Sequence, residues 1–370
     1  MKNPCEIFAS VLKCRRTDLG MTQRELGEAM GYSEKTVSKW ESGGVIAPSV
    51  VLPKLAAVLK TDINSFFSER ADEVYYLGVD GGGTKTDFAL SDSDGRVIAH
   101  VSLEGCNPND VGLKNATDII SRGISLVCAD IPTSKIYAFF GIAGGTTGDM
   151  CERISVFLDK FGFAAYGNGN DADNALSVAL GEENGTVVII GTGSVAFSRV
   201  DGVLHRRGGF GYLFEDGGSG FSIGRDALMH ALTTEECGSD TVLAECVRKI
   251  ADGNIIPYLS ELYKGGKRKI ASFAPAVFEA FRAHDPVAEE IINRNMAAIA
   301  RLIESSPITD PLREKQRVYV VGGLVGELDI ILPFINHNLS CPEKYEITAV
   351  STPPYVGALK LAERIKEKKC

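Results

Sequence analysis

The order of apolar and polar residues divides the chain into two parts near residue 70. Before that point, apolar residues recur at helical spacing, first at Ile7, Val11 and Leu12 and later at Leu55, Val58 and Leu59. From residue 75 onward, short apolar runs that resemble buried strands alternate with longer helical stretches. The pattern therefore predicts an all-α head over residues 1–70 and an α/β body after it.

Within the body, the pattern predicts strands at 75–79, 87–91, 97–103, 136–142, 186–190, 195–200, 318–321 and 345–350. It predicts helices at 115–128, 150–161, 173–180, 224–232, 274–283, 287–304 and 357–366. Two sections begin alike, because GVDGGGT and IGTGS each place a Gly/Thr turn between two apolar strands. We therefore expect a duplicated lobe, with boundaries at 75–184 and 185–370.

The turn between the first two strands of the body carries the strongest chemical signal. Glycines at positions 81–83 let the backbone approach an anion, and successive N–H groups in such a turn form an anion-binding concavity. Thr84 and Lys85 add a hydroxyl and a cation, and Asp80 could hold a hydrated Mg²⁺ ion that bridges phosphates. The alternative is a glycine-rich hairpin that binds no ligand.

Capping signals in the head predict two short helices around a turn. Thr22 and Glu25 form a capping box, Gly31 ends that helix, and Ser33 is the N-cap of the next one. The segment LGMTQRELGEAMGYSEKTVSKWESG closely resembles the XRE (Cro/repressor-like) helix-turn-helix family, over about residues 5–67. The alternative is a small helical module that binds other proteins.

The XRE resemblance implies binding to duplex DNA, with the second helix of the motif in the major groove. It places Glu34, Lys35 and Lys39 at base edges. Gln23, at the start of the preceding helix, would support them, and Arg15 and Arg16 would contact phosphates. Ala29, Val37 and Trp40 are expected to be core residues. A homodimer is also expected.

The body resembles the BadF/BadG/BcrA/BcrD ATPase and N-acetylglucosamine kinase family over about residues 75–365. The motifs follow in family order: GVDGGGTKT, GCNPN, FFGIAGG, GNDADNAL, IIGTGS, RRGGFGYLFEDGGSG, VYVVGGL and PPYVGALKLA. The resemblance implies the two-lobed, ribonuclease-H-like fold of the actin, hexokinase and Hsp70 ATPases. It also implies ATP and Mg²⁺ as cofactors and an amino sugar or related sugar as substrate.

The family pattern assigns a role to each motif. A second phosphate motif falls at Gly191, Thr192, Gly193 and Ser194, and an adenosine motif at Gly322 and Gly323. Substrate-binding positions are Asn107, Gly144, Gly145, Thr146, Gly209 and Asp216. Asp171 matches the catalytic base, whereas Asp173 is expected to cap a helix. For Asn107 and Asn109, an Asn-Pro turn is the alternative to sugar binding.

Three departures from the family pattern bear on function. Thr146 and Thr147 stand where family members often carry an acid, and EDGGSG replaces the usual GDEGSG, so that Glu215 replaces a glycine and Gly217 an acid. Both changes lie on the sugar side of the predicted cleft. The cysteine pair that holds an iron–sulfur cluster in the dehydratase activators is missing, which argues against an electron-transfer role. The zinc motif of the ROK proteins is missing as well.

Charge and cysteine content narrow the functional classes further. The head has ten Lys and Arg against eight Asp and Glu, whereas the body has 29 against 40, so only the head is expected to meet a polyanion. The nine cysteines are scattered, and no apolar stretch approaches membrane-spanning length, which favours a cytoplasmic location away from membranes. Three functions remain open: a sugar kinase with a DNA-binding head, a regulator that senses sugar or nucleotide without turnover, and an ATPase that activates a partner.

Overall fold

The computed structural model describes residues 3–67, 74–129, 131–214 and 216–369. Glu215, at which the sequence departs from the family pattern, lies outside the described residues. The chain forms two compact units, Met1–Val74 and Tyr75–Cys370, and each is described by itself. Among the described residues, no helix is long and apolar enough to cross a membrane.

The first unit, the head, is a bundle of four helices. They are α1 (Pro4–Asp18), α2 (Gln23–Met30), α3 (Glu34–Glu41) and α4 (Leu52–Val58), followed by a 3₁₀ turn at Asn64–Phe66. The predicted caps are confirmed, because the Thr22 side chain accepts from the Glu25 N–H, the Glu25 carboxylate accepts from the Thr22 N–H, and Gly31 has φ of 82°. Val37 and Trp40 are buried as predicted, but Ala29 is exposed.

The second unit, the body, contains two five-stranded sheets with the same topology. The first sheet has strands β1 (Tyr75–Gly81), β2 (Lys85–Ser91), β3 (Val97–Glu104), β4 (Ile136–Ile142) and β5 (Ala165–Gly169), in the order β3-β2-β1-β4-β5. The second sheet has β6 (Gly185–Ile190), β7 (Ser194–Val200), β8 (Val203–Gly208), β9 (Gln316–Val321) and β10 (Tyr345–Ala349), in the order β10-β9-β6-β7-β8. In each sheet three strands form an antiparallel meander and two follow in parallel, so the predicted duplication is confirmed.

Helices cover the two sheets and join them. In the first half they are α5 (Pro108–Val111), α6 (Leu113–Cys128), α7 (Met150–Leu158) and α8 (Asp171–Ala179). In the second half they are α9 (Gly220–Cys237), α10 (Val242–Ala251), α11 (Ile255–Ala271), α12 (Ala274–Arg282), α13 (Pro286–Glu304), α14 (Leu328–Asn338) and α15 (Pro354–Lys369). The patterning missed β5, β8, α5, α10, α11 and α14.

Helix α15 corrects the predicted lobe boundary. The sequence places it in the second lobe, yet it packs on the first sheet, against β1 and β4, and crosses α8. Two glycines permit this close contact: a Cβ at Gly78 would lie 2.6 Å from the Leu359 backbone N, and one at Gly357 would lie 2.0 Å from the Asn174 carbonyl oxygen. The first lobe is therefore built from two separated segments of the chain.

Candidate functional site

The two glycine turns that the sequence predicts as phosphate motifs meet in the structure. The first turn links β1 to β2 and the second links β6 to β7, so they occupy equivalent places in the two sheets. The Thr84 and Thr192 hydroxyl oxygens, one from each turn, are 3.4 Å apart. Each turn is closed by its own backbone, through Gly82 N–H to the Lys85 carbonyl at 2.9 Å and Gly191 N–H to the Gly193 carbonyl at 2.9 Å. The duplication thus brings the two glycine turns face to face.

The Lys85 ammonium does not lie at the first glycine turn, where the sequence analysis placed it. It forms an ion pair with the buried Asp87 carboxylate at 2.7 Å, on the sheet rather than at the turn. Residues 85 and 87 share one face of β2 because side chains alternate along a strand. Burial raises the pKa of Asp87, but hydrogen bonds from Lys85 and Ser102 outweigh that effect and the pKa is lowered. Lys85 therefore neutralises Asp87 in this structure.

Ser194 and Asp216 also have structural partners that the sequence did not predict. The Ser194 hydroxyl donates to the Gly217 carbonyl at 2.8 Å, and its N–H donates to the Asp216 carboxylate at 3.3 Å. Asp216 accepts from the Lys267 ammonium at 2.7 Å. The predicted sugar ligand Asp216 therefore lies against the second phosphate turn. Gly209, another predicted substrate residue, directly follows β8 and has φ of 72°. A Cβ at this position would lie 2.8 Å from the Val195 Cβ.

Two carboxylates lie at the carboxyl end of the first sheet. Asp80 is near the end of β1, and Asp171 begins α8 directly after β5. The amide of Asn174, one turn further along α8, donates to Asp80 Oδ1 at 2.8 Å and to the Val79 carbonyl at 3.1 Å. Because β1, β4 and β5 are parallel, their carboxyl ends share one edge, which brings Asp80 and Asp171 together.

The pKa values of both carboxyls are raised. Burial raises the pKa of Asp171 to about 7, and the neighbouring charge of Asp80 adds to the shift. Burial also raises the pKa of Asp80 to about 6, against the hydrogen bond from Asn174. A carboxyl with a pKa near neutrality is suited to general base catalysis. Burial also raises the pKa of Asp173. That carboxylate accepts from the Asn170 N–H at 2.9 Å as part of a capping box, which agrees with the structural role expected for it.

The residues around Asp80 fit a hydrated Mg²⁺ ion. Mg²⁺ is usually held by one or two carboxylates together with water and substrate phosphates. Asp80 supplies a carboxylate, and the buried Asn174 Oδ1 has no hydrogen-bond partner among the described residues. The described part of the chain contains no group of three or more His, Cys, Asp and Glu side chains that could hold a metal without a ligand. The fit is therefore to a metal that arrives with phosphate.

The predicted substrate residues of the first lobe form one cluster. Asn107 caps α5, where its Oδ1 accepts from the Asn109 N–H at 3.0 Å and its amide donates to Asp110 at 3.0 Å. The Asn109 amide donates to the Thr147 hydroxyl at 3.3 Å. A Cβ at Gly144 would lie 2.5 Å from Asn107 Oδ1 and from Asn109 Nδ2, so the segment Gly144, Gly145 and Thr146 passes beside both amides. Asn107 therefore forms the predicted Asn-Pro turn and also belongs to a polar cluster with Asn109.

The predicted adenosine motif lies beside the second phosphate turn. Gly322 follows β9 with φ of 109°, and a Cβ there would be 2.6 Å from the Ile190 carbonyl at the end of β6. Gly323 begins the short 3₁₀ segment Gly323–Glu327. Gly322 thus permits a close contact between two strand ends.

In the head, the residues predicted to contact bases lie on the exposed side of α3. Glu34, Lys35 and Lys39 are all exposed, whereas Val37 and Trp40 of the same helix are buried. Arg15 is half-buried on α1. The surface agrees with the helix-turn-helix arrangement, in which the second helix of the motif enters the major groove.

Arg16 requires a correction. Its guanidinium is buried and forms a two-point ion pair with Glu41, with Nε–Oε1 at 2.6 Å and Nη2–Oε2 at 3.0 Å. It also donates to the Met21 carbonyl at 2.6 Å. The Gln23 amide donates to the same Glu41 carboxylate at 2.8 Å. Arg16 therefore ties α1 to α3 inside the head, and the predicted phosphate contact does not fit this position.

Sequence reasoning missed two residues of the site, Asn174 and Lys267. An asparagine in the apolar face of a helix is the signal that could have revealed Asn174, because a buried amide requires partners. A lysine directly after a Gly-Gly pair could have revealed Lys267, because glycines break a helix and allow a change of direction.

Together, the duplicated sheets, the opposed turns and the edge carboxylates define a two-lobed ATPase of the actin-like fold, here carrying a helix-turn-helix head. Residues 77–359 match the model of the BadF/BadG/BcrA/BcrD ATPase family, and the chain belongs to that family. Residues 12–66 match the helix-turn-helix family model. The predictions of family and fold are thereby confirmed.

Two curated relatives and one solved structure are similar to the body. N-acetyl-D-glucosamine kinase of Dictyostelium discoideum is 29% identical over 79% of this chain and 98% of its own length. N-acetylmuramic acid/N-acetylglucosamine kinase of Clostridium acetobutylicum is 27% identical over 78% of this chain and 98% of its own length. The crystal structure of a proposed N-acetylglucosamine kinase of Chromobacterium violaceum aligns with a TM-score of 0.63 and 22% identity, over 79% of this chain and 99% of that one, which supports the fold.

Proposed function

We propose that the protein is an ATP-dependent kinase of N-acetylglucosamine or a related amino sugar, and that its head binds DNA in response to the state of that reaction. The observation that carries the proposal is the pairing of two phosphate turns with an Asp171 carboxyl whose pKa is about 7. The relatives named for amino-sugar phosphorylation support the choice of substrate.

Each part of the site has a role in this proposal. The two turns hold the phosphates of ATP through backbone N–H groups and the Thr84 and Thr192 hydroxyls. When bound, Mg²⁺ neutralises phosphate charge, and Asp80 would hold it through water or directly. Asp171 accepts the proton of the sugar hydroxyl that receives the phosphoryl group.

Substrate binding is assigned to the first-lobe cluster. The amides of Asn107 and Asn109 lie beside the Gly144–Thr147 segment, and an amide can both donate to and accept from a sugar hydroxyl. Gly323, where a Cβ would meet nothing within 4 Å, leaves room at the strand edge for the adenosine of ATP. A homodimer is part of the proposal, because helix-turn-helix proteins bind two half-sites of DNA as dimers. A cytoplasmic location is also proposed, because the scattered cysteines favour reduced thiols.

One observation favours a second function, a regulator that senses ligands without turnover. Thr146 and Thr147 are exposed beside the asparagine cluster, at a position where the family often carries an acid. The Asp171 side remains complete, so the kinase remains the first proposal. A coupled assay with ATP and N-acetylglucosamine, glucosamine, N-acetylmannosamine or glucose separates the two. Turnover of any of these sugars supports the kinase, and nucleotide binding without turnover supports the sensor.

A further inference from the structure

Helix α11 is interrupted at the point where it approaches the nucleotide site. Gly266 has φ of 55° and ψ of −148°, a conformation that is essentially restricted to glycine. The chain changes direction there, and Lys267 and Arg268 follow directly. Each glycine in the interior of a helix lowers its stability. Gly265 and Gly266 in the middle of α11 therefore favour a break at this point over a continuous helix.

The segment after the break is held against the second phosphate turn by close packing. A Cβ at Gly224 of α9 would lie 2.1 Å from the Ile270 carbonyl oxygen, so α9 and the end of α11 touch backbone to backbone. The same α9 supports the turn, because Gly220 N–H donates to the Gly191 carbonyl at 2.8 Å. The position of Lys267 relative to the turn is therefore fixed by rigid elements.

Lys267 has the geometry of a cation placed beside a phosphate site. Its ammonium is 2.7 Å from the Asp216 carboxylate and 3.2 Å from the position of a Cβ on Gly193. The Lys267 side chain is 27% exposed, whereas the Asp216 side chain is 4% exposed. The Lys267 side chain is therefore partly accessible to solvent beside the turn, whereas the Asp216 carboxylate is buried against it.

Arg268 extends the same segment to the other turn. Its guanidinium lies 3.8 Å from Asp110 Oδ2, and that oxygen lies 3.5 Å from the position of a Cβ on Gly83. One short stretch of α11 thus contacts the surroundings of both turns. Lys85, the cation predicted from the first turn, is instead paired with Asp87. Phosphoryl transfer requires positive charge at the terminal phosphate, and Lys267 is the described lysine that meets the second turn.

We propose that Lys267 is a ligand of the γ-phosphate of ATP, held by Asp216 until nucleotide enters. The inference rests on the proposed kinase function and identifies a residue of the same site. A compact ammonium on a flexible stem can change partners over a short distance, so Asp216 serves as its resting partner. Once in contact with the phosphate, the ammonium stabilises the negative charge of the transferred group.

The first test measures nucleotide binding by calorimetry on the full chain, with a non-hydrolysable ATP analogue and with ADP. Lys267→Met is expected to weaken the ATP analogue by on the order of tenfold or more, with ADP affinity almost unchanged. Lys267→Arg should recover most of the loss, because a cation is restored. Lys264→Met is the matched control: it lies just before the break, has a 75% exposed side chain, and should behave like wild type.

The second test separates phosphate binding from simple neutralisation of Asp216. The ratio of analogue to ADP affinity is measured for Asp216→Asn with and without Lys267→Met. If Lys267 binds phosphate, the second change lowers the ratio in this background too. If the double variant has the same ratio as Asp216→Asn, or if Lys267→Met weakens both nucleotides equally, the inference is wrong. Wild type that binds neither nucleotide overturns both the inference and the proposed function, whereas normal wild-type binding with an unchanged ratio in Lys267→Met overturns the inference alone.

Discussion

The hydroxyl oxygens of Thr84 and Thr192 lie 3.4 Å apart although 108 positions separate these residues in the chain. Each threonine belongs to the turn between the first two strands of its own sheet, so this proximity follows from the duplication. A triphosphate placed between the turns would be enclosed from both lobes, which orients the reacting groups and excludes water.

Replacement of Gly82 by valine is expected to abolish most nucleotide binding. A Cβ at this position would already lie 3.1 Å from the Lys85 carbonyl oxygen, and a branched side chain would also occupy the space of a phosphate. We expect the affinity for Mg·ATP, measured by calorimetry, to fall by at least about tenfold. Thermal unfolding of the full chain, followed by circular dichroism, serves as the control for folding of the body. Equal nucleotide affinity in variant and wild type would refute the assignment of this turn.

Replacement of Asp171 by asparagine should remove the base and leave nucleotide binding intact. Loss of a general base typically costs about 10²–10⁴-fold in rate, so kcat should fall within that range while the calorimetric affinity for ATP is kept. Asp173→Asn is the matched control, because Asp173 caps α8 and is two residues away. It should cost stability more than rate. Similar losses of kcat in both variants would show that Asp171 has no special role.

The raised pKa of Asp171 also predicts a pH-dependent cost in stability for the nucleotide-free protein. The ordinary value is 3.8 and the folded value is about 7, so between these pH values the folded state binds more protons than the unfolded state. The contribution of Asp171 to stability therefore falls as pH rises from about 4 to about 7 and is constant above that range. Asp171→Asn should unfold at a higher temperature than wild type at pH 8, with little difference near pH 4. One pKa unit corresponds to about 1.4 kcal/mol, so the gain should be on the order of a few kcal/mol. The same variant difference at both pH values would contradict the assignment.

Two cations of the head should behave in opposite ways. Arg16→Ala leaves the buried Glu41 carboxylate without its ion-pair partner, so the free energy of unfolding of the head should fall by about 3 kcal/mol. Lys39→Ala should leave stability almost unchanged and alter the sequence that is selected from a random duplex pool. Salt dependence gives the decisive measurement, because each lost phosphate contact lowers the slope by about 0.9. A reduced slope for folded Arg16→Ala would restore the phosphate role predicted from sequence.

The sequence predicted the parts of this protein whose chemistry is local. Caps such as Thr22 with Glu25, the glycine turns and the apolar strands follow from short-range patterns, and the structure reproduces them. Partners far apart in sequence could not be read in this way. Arg16 and Glu41 are 25 residues apart, and Arg16 was assigned to a DNA phosphate when its partner is in fact a carboxylate. Lys267 and Asp216 are 51 residues apart, so Asp216 was assigned to the substrate and its partner Lys267 was missed.

The missed strand β5 shows a second limit. Its sequence AYGNG has few apolar residues, and both of its faces are only half-buried, so no alternation marks it as a strand. The sheet recruits it through parallel pairing with β4, which periodicity does not reveal. Helix α11 was missed for a related reason, because its Gly-Gly break resembles a loop signal.

The place of α15 has a consequence for the biosynthesis of the protein. The ribosome makes the strands of the first sheet early, but the helix that covers β1 and β4 is made only after the whole second lobe. Until then, an apolar face of that sheet has no cover within the chain, and exposed apolar surface promotes aggregation. The first lobe therefore completes its folding after the second lobe has been made, and an expression fragment limited to residues 75–184 would lack a helix that its core requires.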